Sequence, residues 1–163
     1  MNSLIISKEE GGQPPPKLTL PERDLRAEQD SARWKGLPLP YPGLPRDYVD
    51  QVLAVVIRFE PDKVFLFGSV ARGEDTVSSD IDLLIAVDDL PLKSWKNWSV
   101  AIERAARPYC PFKVDAKITD VEDLERRKSV VTSPCMWVRQ EGILLYDREQ
   151  GKRNSFTSLI KDR

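Results

Sequence analysis

Histidine is absent from the 163 residues, and that one omission removes imidazole metal sites, His general bases and His-centred triads together. Any chemistry must run on carboxylates, lysine, arginine, hydroxyls or metal-bound water. Cysteine is nearly as scarce. Cys110 and Cys135 stand far apart and match no metal-ligand spacing, so each reads as a buried thiol, with a disulfide or a reactive role as the alternative. No apolar run approaches the ~20 residues that cross a bilayer. Met1-Asn2-Ser3-Leu4 also lacks the basic start and long apolar core of a secretory signal. The expectation is a cytoplasmic protein with no membrane segment. Excess charge is missing too: 25 basic and 26 acidic side chains leave a formal net charge of −1. That balance gives no global signature of a nucleic-acid binder and disfavours a nucleic-acid acceptor.

What is present is unevenly distributed. Residues 1–43 hold Gly11-Gly12, Pro14-Pro15-Pro16, Pro21, Pro38, Pro40 and Pro42 around a charged stretch at 22–30. Prolines at that density deny the backbone regular hydrogen bonding and favour extended conformations. Within this arm only Pro21 to Trp34 suits a short helix, and Trp34, Leu37, Leu39 and Tyr41 are its expected anchors, whether the arm straps onto the domain or meets a partner. The reading is therefore a Pro-rich N-terminal arm over 1–43, one folded domain over 44–148 and a basic, weakly patterned tail over 149–163.

Within the domain, apolar residues from Tyr48 to Phe59 recur at helical spacing between Pro45 and Pro61. Val64–Phe67 and Asp80–Val87 read as strands. Leu92–Arg107 reads as an amphipathic helix stopped by Pro108, with Trp98 and Ile102 toward one side. Phe112–Ile118 alternates apolar and polar residues and predicts a strand with one solvated face. Thr119-Asp120 suits a cap for a helix through Arg127, a second short helix fits Pro134–Glu141, and Ile143–Tyr146 is a further apolar run. Trp95, Trp98, Met136 and Trp137 suit either core or an interface, an oligomeric one included.

The chemistry concentrates between Lys63 and Val87. Gly68-Ser69 leaves a buried strand and enters a helix or tight turn, where glycine permits close approach and free backbone N–H groups attract phosphate. Taken alone, this is also ordinary turn chemistry. Asp80 and Asp82, spaced i and i+2 on a strand, share a face with Ile81 pointing the other way. Two carboxylates on one rim repel unless a cation lies between them, and Mg2+ is the usual hard divalent partner; a solvated edge is the plain alternative. Asp115, on the polar face of a separate strand, completes the set if the two strands are neighbours. Lys113 and Lys117 share its face, as solvated strand lysines or as a source of positive potential.

The stretch G-S-V-A-R-G-E-D-T-V-S-S-D-I-D-L-L-I, in which Gly-Ser is followed after ten residues by Asp-x-Asp, resembles the nucleotidyltransferase signature of the DNA polymerase beta-like superfamily. More narrowly it resembles the small MNT-type members, some of which are antitoxins paired with HEPN-type toxins. The resemblance covers roughly residues 45–148, closing on E-G-I-L-L-Y. It implies an α+β nucleotidyltransferase fold, a short mixed β-sheet flanked by helices, here with the Pro-rich extension in front. It also implies that Asp80, Asp82 and Asp115 are catalytic and hold Mg2+, with Gly68, Ser69 and Arg72 on the ATP phosphates; an ion pair from Arg72 to Glu74 or Asp75 is the structural alternative. The implied activity is transfer of AMP from ATP to a tyrosine of a HEPN-type toxin partner. The alternatives are nucleotidyl transfer to a small hydroxylated molecule such as an aminoglycoside, and a non-catalytic binding antitoxin.

Overall fold

The computed structural model describes residues 42–89 and 94–161. The arm's expected helix and its anchors Trp34, Leu37, Leu39 and Tyr41, and the start of the helix expected from Leu92, lie outside the described residues. Pro45 opens a 3-10 turn, Pro45–Tyr48, that runs into α1, Val49–Ile57. Proline suits this first turn because no N–H is needed there. Glu60, at φ 54, and Pro61 end the helical path and turn the chain into β1, Lys63–Phe67. There follow α2 (Gly68–Arg72), β2 (Ile81–Ala86), α3 (Trp95–Ala106), β3 (Val114–Thr119), α4 (Val121–Arg126), α5 (Pro134–Glu141), β4 (Ile143–Asp147), β5 (Lys152–Arg153) and α6 (Phe156–Lys161). The Asp120 side chain caps α4 by accepting the Glu122 N–H at 2.8 Å, the role its sequence position predicts.

The five strands form one mixed sheet in the order β3-β2-β1-β4-β5. β2 and β3 are parallel, with α3 in the crossover between them, and the other pairings are antiparallel. This is the α+β architecture of a short mixed sheet flanked by helices. Its two faces are unequal. Val64, Leu66, Ile81, Leu83, Ile85, Val114, Ala116 and Ile118 join α1 and α3 in the main core, where Trp98, Ile102 and Ala106 stack at helical spacing and are fully buried. Each such large side chain contributes about 1.5–3 kcal/mol relative to exposure. The opposite face carries a small cluster of Phe67, Leu84, Cys135 and Val138 beneath α5. The thin cover on that side leaves the polar ends of the strands open.

β3 is an edge strand, and its open side is closed by side chains of α3. Ser99 Oγ donates to the Ala116 carbonyl at 2.6 Å, and the Ala116 N–H donates to Glu103 Oε1 at 3.1 Å. Both backbone groups of Ala116 are thus satisfied without a further strand, which removes a template for edge-to-edge pairing. The strand begins at Val114 rather than Phe112, because residues 111 and 112 form a bend.

Past Asp147, where the sequence is basic and weakly patterned, the chain makes a two-residue strand on β4 and then α6. Phe156 is buried in the main core. Asp50 of α1 holds this helix start through the Phe156 N–H at 2.7 Å and the Ser155 and Thr157 hydroxyls. Cys110 and Cys135 are free and buried, and burial pushes the Cys110 thiol up to about 11. Among the described residues no helix is long and apolar enough to cross a membrane.

Candidate functional site

Three strands deliver one row of side chains to the thinly covered face. Phe67, the last residue of β1, is the register partner of Asp82, and Asp82 is the register partner of Asp115 on β3. The parallel β2–β3 pairing makes the two aspartates neighbours on one face, and Asp80 lies two residues before Asp82 on the same side. The crowding has an electrostatic cost. Burial, then the charges of Asp115 and Asp80, push the Asp82 carboxyl up to about 6, against the opposing pull of Lys117 and Arg72. The flanking acids take lysine partners instead: Lys113 Nζ lies 3.7 Å from Asp80 and Lys117 Nζ 3.4 Å from Asp115.

Gly68 closes the other side of the row. Its φ of +77° is left-handed, and a Cβ built there would collide with Asp82 Oδ2, so backbone conformation and close approach both require glycine. The Gly68 N–H donates to Glu141 Oε1 at 3.0 Å. Arg72 Nη1 reaches both Glu141 oxygens at 3.0 Å, and its Nε pairs with Glu74 at 3.0 Å. Asp75 is not a partner of Arg72. It is buried and bound by Arg46, through the guanidinium at 2.7 Å and the backbone N–H at 3.1 Å, which pins the loop between α2 and β2. Gly73, at φ +75°, ends α2, and its N–H returns to the Val70 carbonyl.

Gly68, Arg72, Asp82 and Asp115 line a single cavity of about 330 Å³ together with Phe67, Lys117, Trp137, Gln140 and Glu141. Ser69 and Asp80 are not among its lining residues. Ser69 follows Gly68 into α2, and Asp80 leans toward Lys113. Among the described residues, three carboxylates bring their oxygens within 4.8 Å of one another only at Asp88, Asp89 and Asp120, where the same two parallel strands end. That group is remote from Gly68, and two of its members are exposed. Asp80, Asp82 and Asp115 are wider apart: the three like charges repel, and Asp80 and Asp115 each turn to a lysine. Their fit to a cation rests on chemistry: a half-buried carboxylate between two others is an oxygen donor set with excess negative charge beside a free cavity.

The α5 wall was not legible from the sequence. Trp137, its ring centroid 6.0 Å from that of Phe67, and Glu141 meet residues about seventy positions earlier. The one available sign was that Glu141 opens the E-G-I-L-L-Y segment at the end of a predicted helix.

Residues 54–151 match the family described as Polymerase beta, Nucleotidyltransferase. Among solved structures, the chain is similar to a candidate nucleotidyltransferase from Sulfolobus solfataricus, at 20% identity over 77% of this chain and 91% of that one, with a TM-score of 0.45. It is also similar to a toxin–antitoxin structure with AMP-PNP, at 22% identity over 63% of this chain and 76% of that one, with a TM-score of 0.43. No curated protein matches it.

Proposed function

The chain belongs to the polymerase beta nucleotidyltransferase family, and from that membership we propose that it moves AMP from ATP to a hydroxyl, a tyrosine of a HEPN-type toxin partner, and so acts as a cytoplasmic antitoxin. The observation that carries the transfer chemistry is the row in which Asp82 stands opposite Asp115 and against Gly68. The choice of partner is supported by the G-S-V-A-R-G and S-D-I-D-L motifs, which resemble those of the small MNT-type members.

In this reading Asp80, Asp82 and Asp115 hold Mg2+ with the nucleotide. When bound, the ion neutralises charge developing on the phosphates. Gly68, Ser69 and Arg72 hold the terminal phosphates. Asp115 orients the acceptor hydroxyl and takes its proton as the oxygen bonds to the α-phosphorus. The bond from that phosphorus to the bridging oxygen breaks, and pyrophosphate leaves.

The test is label transfer. With ATP labelled at the α-phosphorus, Mg2+ and the product of the adjacent gene, the chain is expected to label a tyrosine of that partner, and an Asp80→Asn/Asp82→Asn variant is not. Undiminished labelling by that variant overturns the assigned site. Tight partner binding without label under any nucleotide supports a binding antitoxin instead, and label on a small hydroxylated acceptor alone supports the aminoglycoside-type activity. Three crowded carboxylates favour catalysis over a pure scaffold, which gains nothing from their repulsion.

A further inference from the structure

The cavity contains an anion of its own. Glu141 is the last residue of α5, and the Gly142 N–H closes that helix on the Val138 carbonyl at 2.8 Å. From there its carboxylate takes the Gly68 N–H at 3.0 Å and the Arg72 guanidinium at 3.0 Å on both oxygens. These are two of the donors assigned above to phosphate. One N–H cannot serve a carboxylate and a phosphate together, and two anions at that separation repel.

We propose that Glu141 is an internal stand-in for the nucleotide phosphates: a positioning residue that holds Arg72 at the cavity and keeps the Gly68 N–H satisfied until phosphate displaces it. The inference rests on the nucleotide reading above and adds what sets the affinity of that site. Several features suit Glu141 to such an exchange. Its side chain is a quarter exposed, so it leaves toward water without opening the core. It stands on the last turn of its helix, and its rotatable stem swings while the backbone stays. Arg72 keeps Glu74 as a second partner at 3.0 Å, so the guanidinium remains anchored during the exchange.

Competition of this kind has a definite sign. The carboxylate lowers nucleotide affinity, and neutralising it raises affinity. Glu141→Gln retains the size and an oxygen acceptor for the Gly68 N–H but gives up the charge. Calorimetric titration with Mg-AMP-PNP is expected to show binding about three- to tenfold tighter in Glu141→Gln than in the unmodified protein. Inorganic pyrophosphate, which probes the phosphate contacts alone, tightens in parallel. In the labelling reaction KM for ATP falls with the dissociation constant, while kcat changes less. In an Arg72→Gln background the gain from Glu141→Gln shrinks, because the contested donor is gone.

A residue that merely braces α5 against α2 gives a different pattern: lower melting temperature and unchanged or weaker binding. Unchanged or weaker nucleotide binding by folded Glu141→Gln, whatever its melting temperature, therefore overturns the proposal while leaving the nucleotide reading intact. Failure of both proteins to bind Mg-AMP-PNP overturns the two together. If Glu141→Ala does not fold, Glu141→Gln still decides between them.

Discussion

The Asp82 carboxylate lies against the α-carbon of Gly68 so closely that a methyl group there would overlap its Oδ2. The glycine that opens α2 and the acid of β2 are thus one steric unit, although fourteen positions separate them in the chain. This contact gives the Gly-Ser and Asp-x-Asp elements a shared physical reason to occur together.

Gly68→Ala is expected to fail twice. Alanine at φ +77° is strained, at a cost of about 1–2 kcal/mol, and its methyl group displaces the Asp82 carboxylate from its place beside Gly68. Transfer activity should fall at least about a hundredfold, a loss of order 3 kcal/mol in transition-state stabilisation, against a modest drop in melting temperature. Label-transfer rates set beside thermal unfolding check this. Activity near that of the unmodified protein would show that Asp82 need not stay where it is.

Asp82→Asn separates stability from activity. The carboxyl is raised from 3.8 to about 6, so the folded, metal-free protein binds the proton more readily than the unfolded chain does. Stability contributed by the protonated form is present below about pH 4 and is lost as pH rises to about 6. After discounting for partial exposure, the penalty at pH 7 is about 1–2 kcal/mol. The asparagine variant should therefore be more stable than the parent at neutral pH without metal, equally stable near pH 3, and inactive. Urea denaturation in EDTA at several pH values reads the difference.

The elements of the domain were legible because each is written locally. Alternation marked Val114 to Ile118, helical spacing marked Val49 to Phe59 and Trp98 to Ala106, and paired acids on one strand face marked the site. Asp115 was found by the same alternation, but its register opposite Asp82 depends on a parallel pairing across α3 that no local pattern encodes. Glu141 and Trp137 were missed for the same reason, since their partners are about seventy residues away. The helix at Phe156–Lys161 is stabilised by a carboxylate more than a hundred residues earlier, so its own segment shows little pattern. The Pro-rich arm before Pro42 lies outside the described residues.

Asp75→Asn tests whether the loop between α2 and β2 positions the acids. Asp75 is buried, with its side chain fully covered, and receives both the Arg46 guanidinium and the Arg46 N–H. Removing its charge leaves a buried amide against an arginine, which costs about 1–3 kcal/mol. Because that loop leads directly into Asp80, Mg-AMP-PNP binding should weaken several-fold alongside the stability loss. A loss of stability with unaltered nucleotide affinity would mean that the loop braces only the fold.

Asp50 offers the converse case, a residue whose loss should touch stability alone. Burial pushes its carboxyl up, but the hydrogen bonds from Phe156, Thr157 and Ser155 outweigh this and hold it below its ordinary value. A depressed carboxylate contributes stability that is present above the unfolded value of about 4 and is lost as pH falls through the folded one. Asp50→Ala removes a cap for α6, worth about 1–2 kcal/mol, and the deficit should shrink as pH falls below the unfolded value and the parent carboxylate takes up its proton. The helix it caps packs with α1 on the main-core face, across the sheet from the cavity at α5. Nucleotide affinity and transfer rate per folded molecule should therefore match the parent. A variant that lost activity while folded would show that α6 reaches the site through the sheet, and the two faces would then have to be treated as coupled.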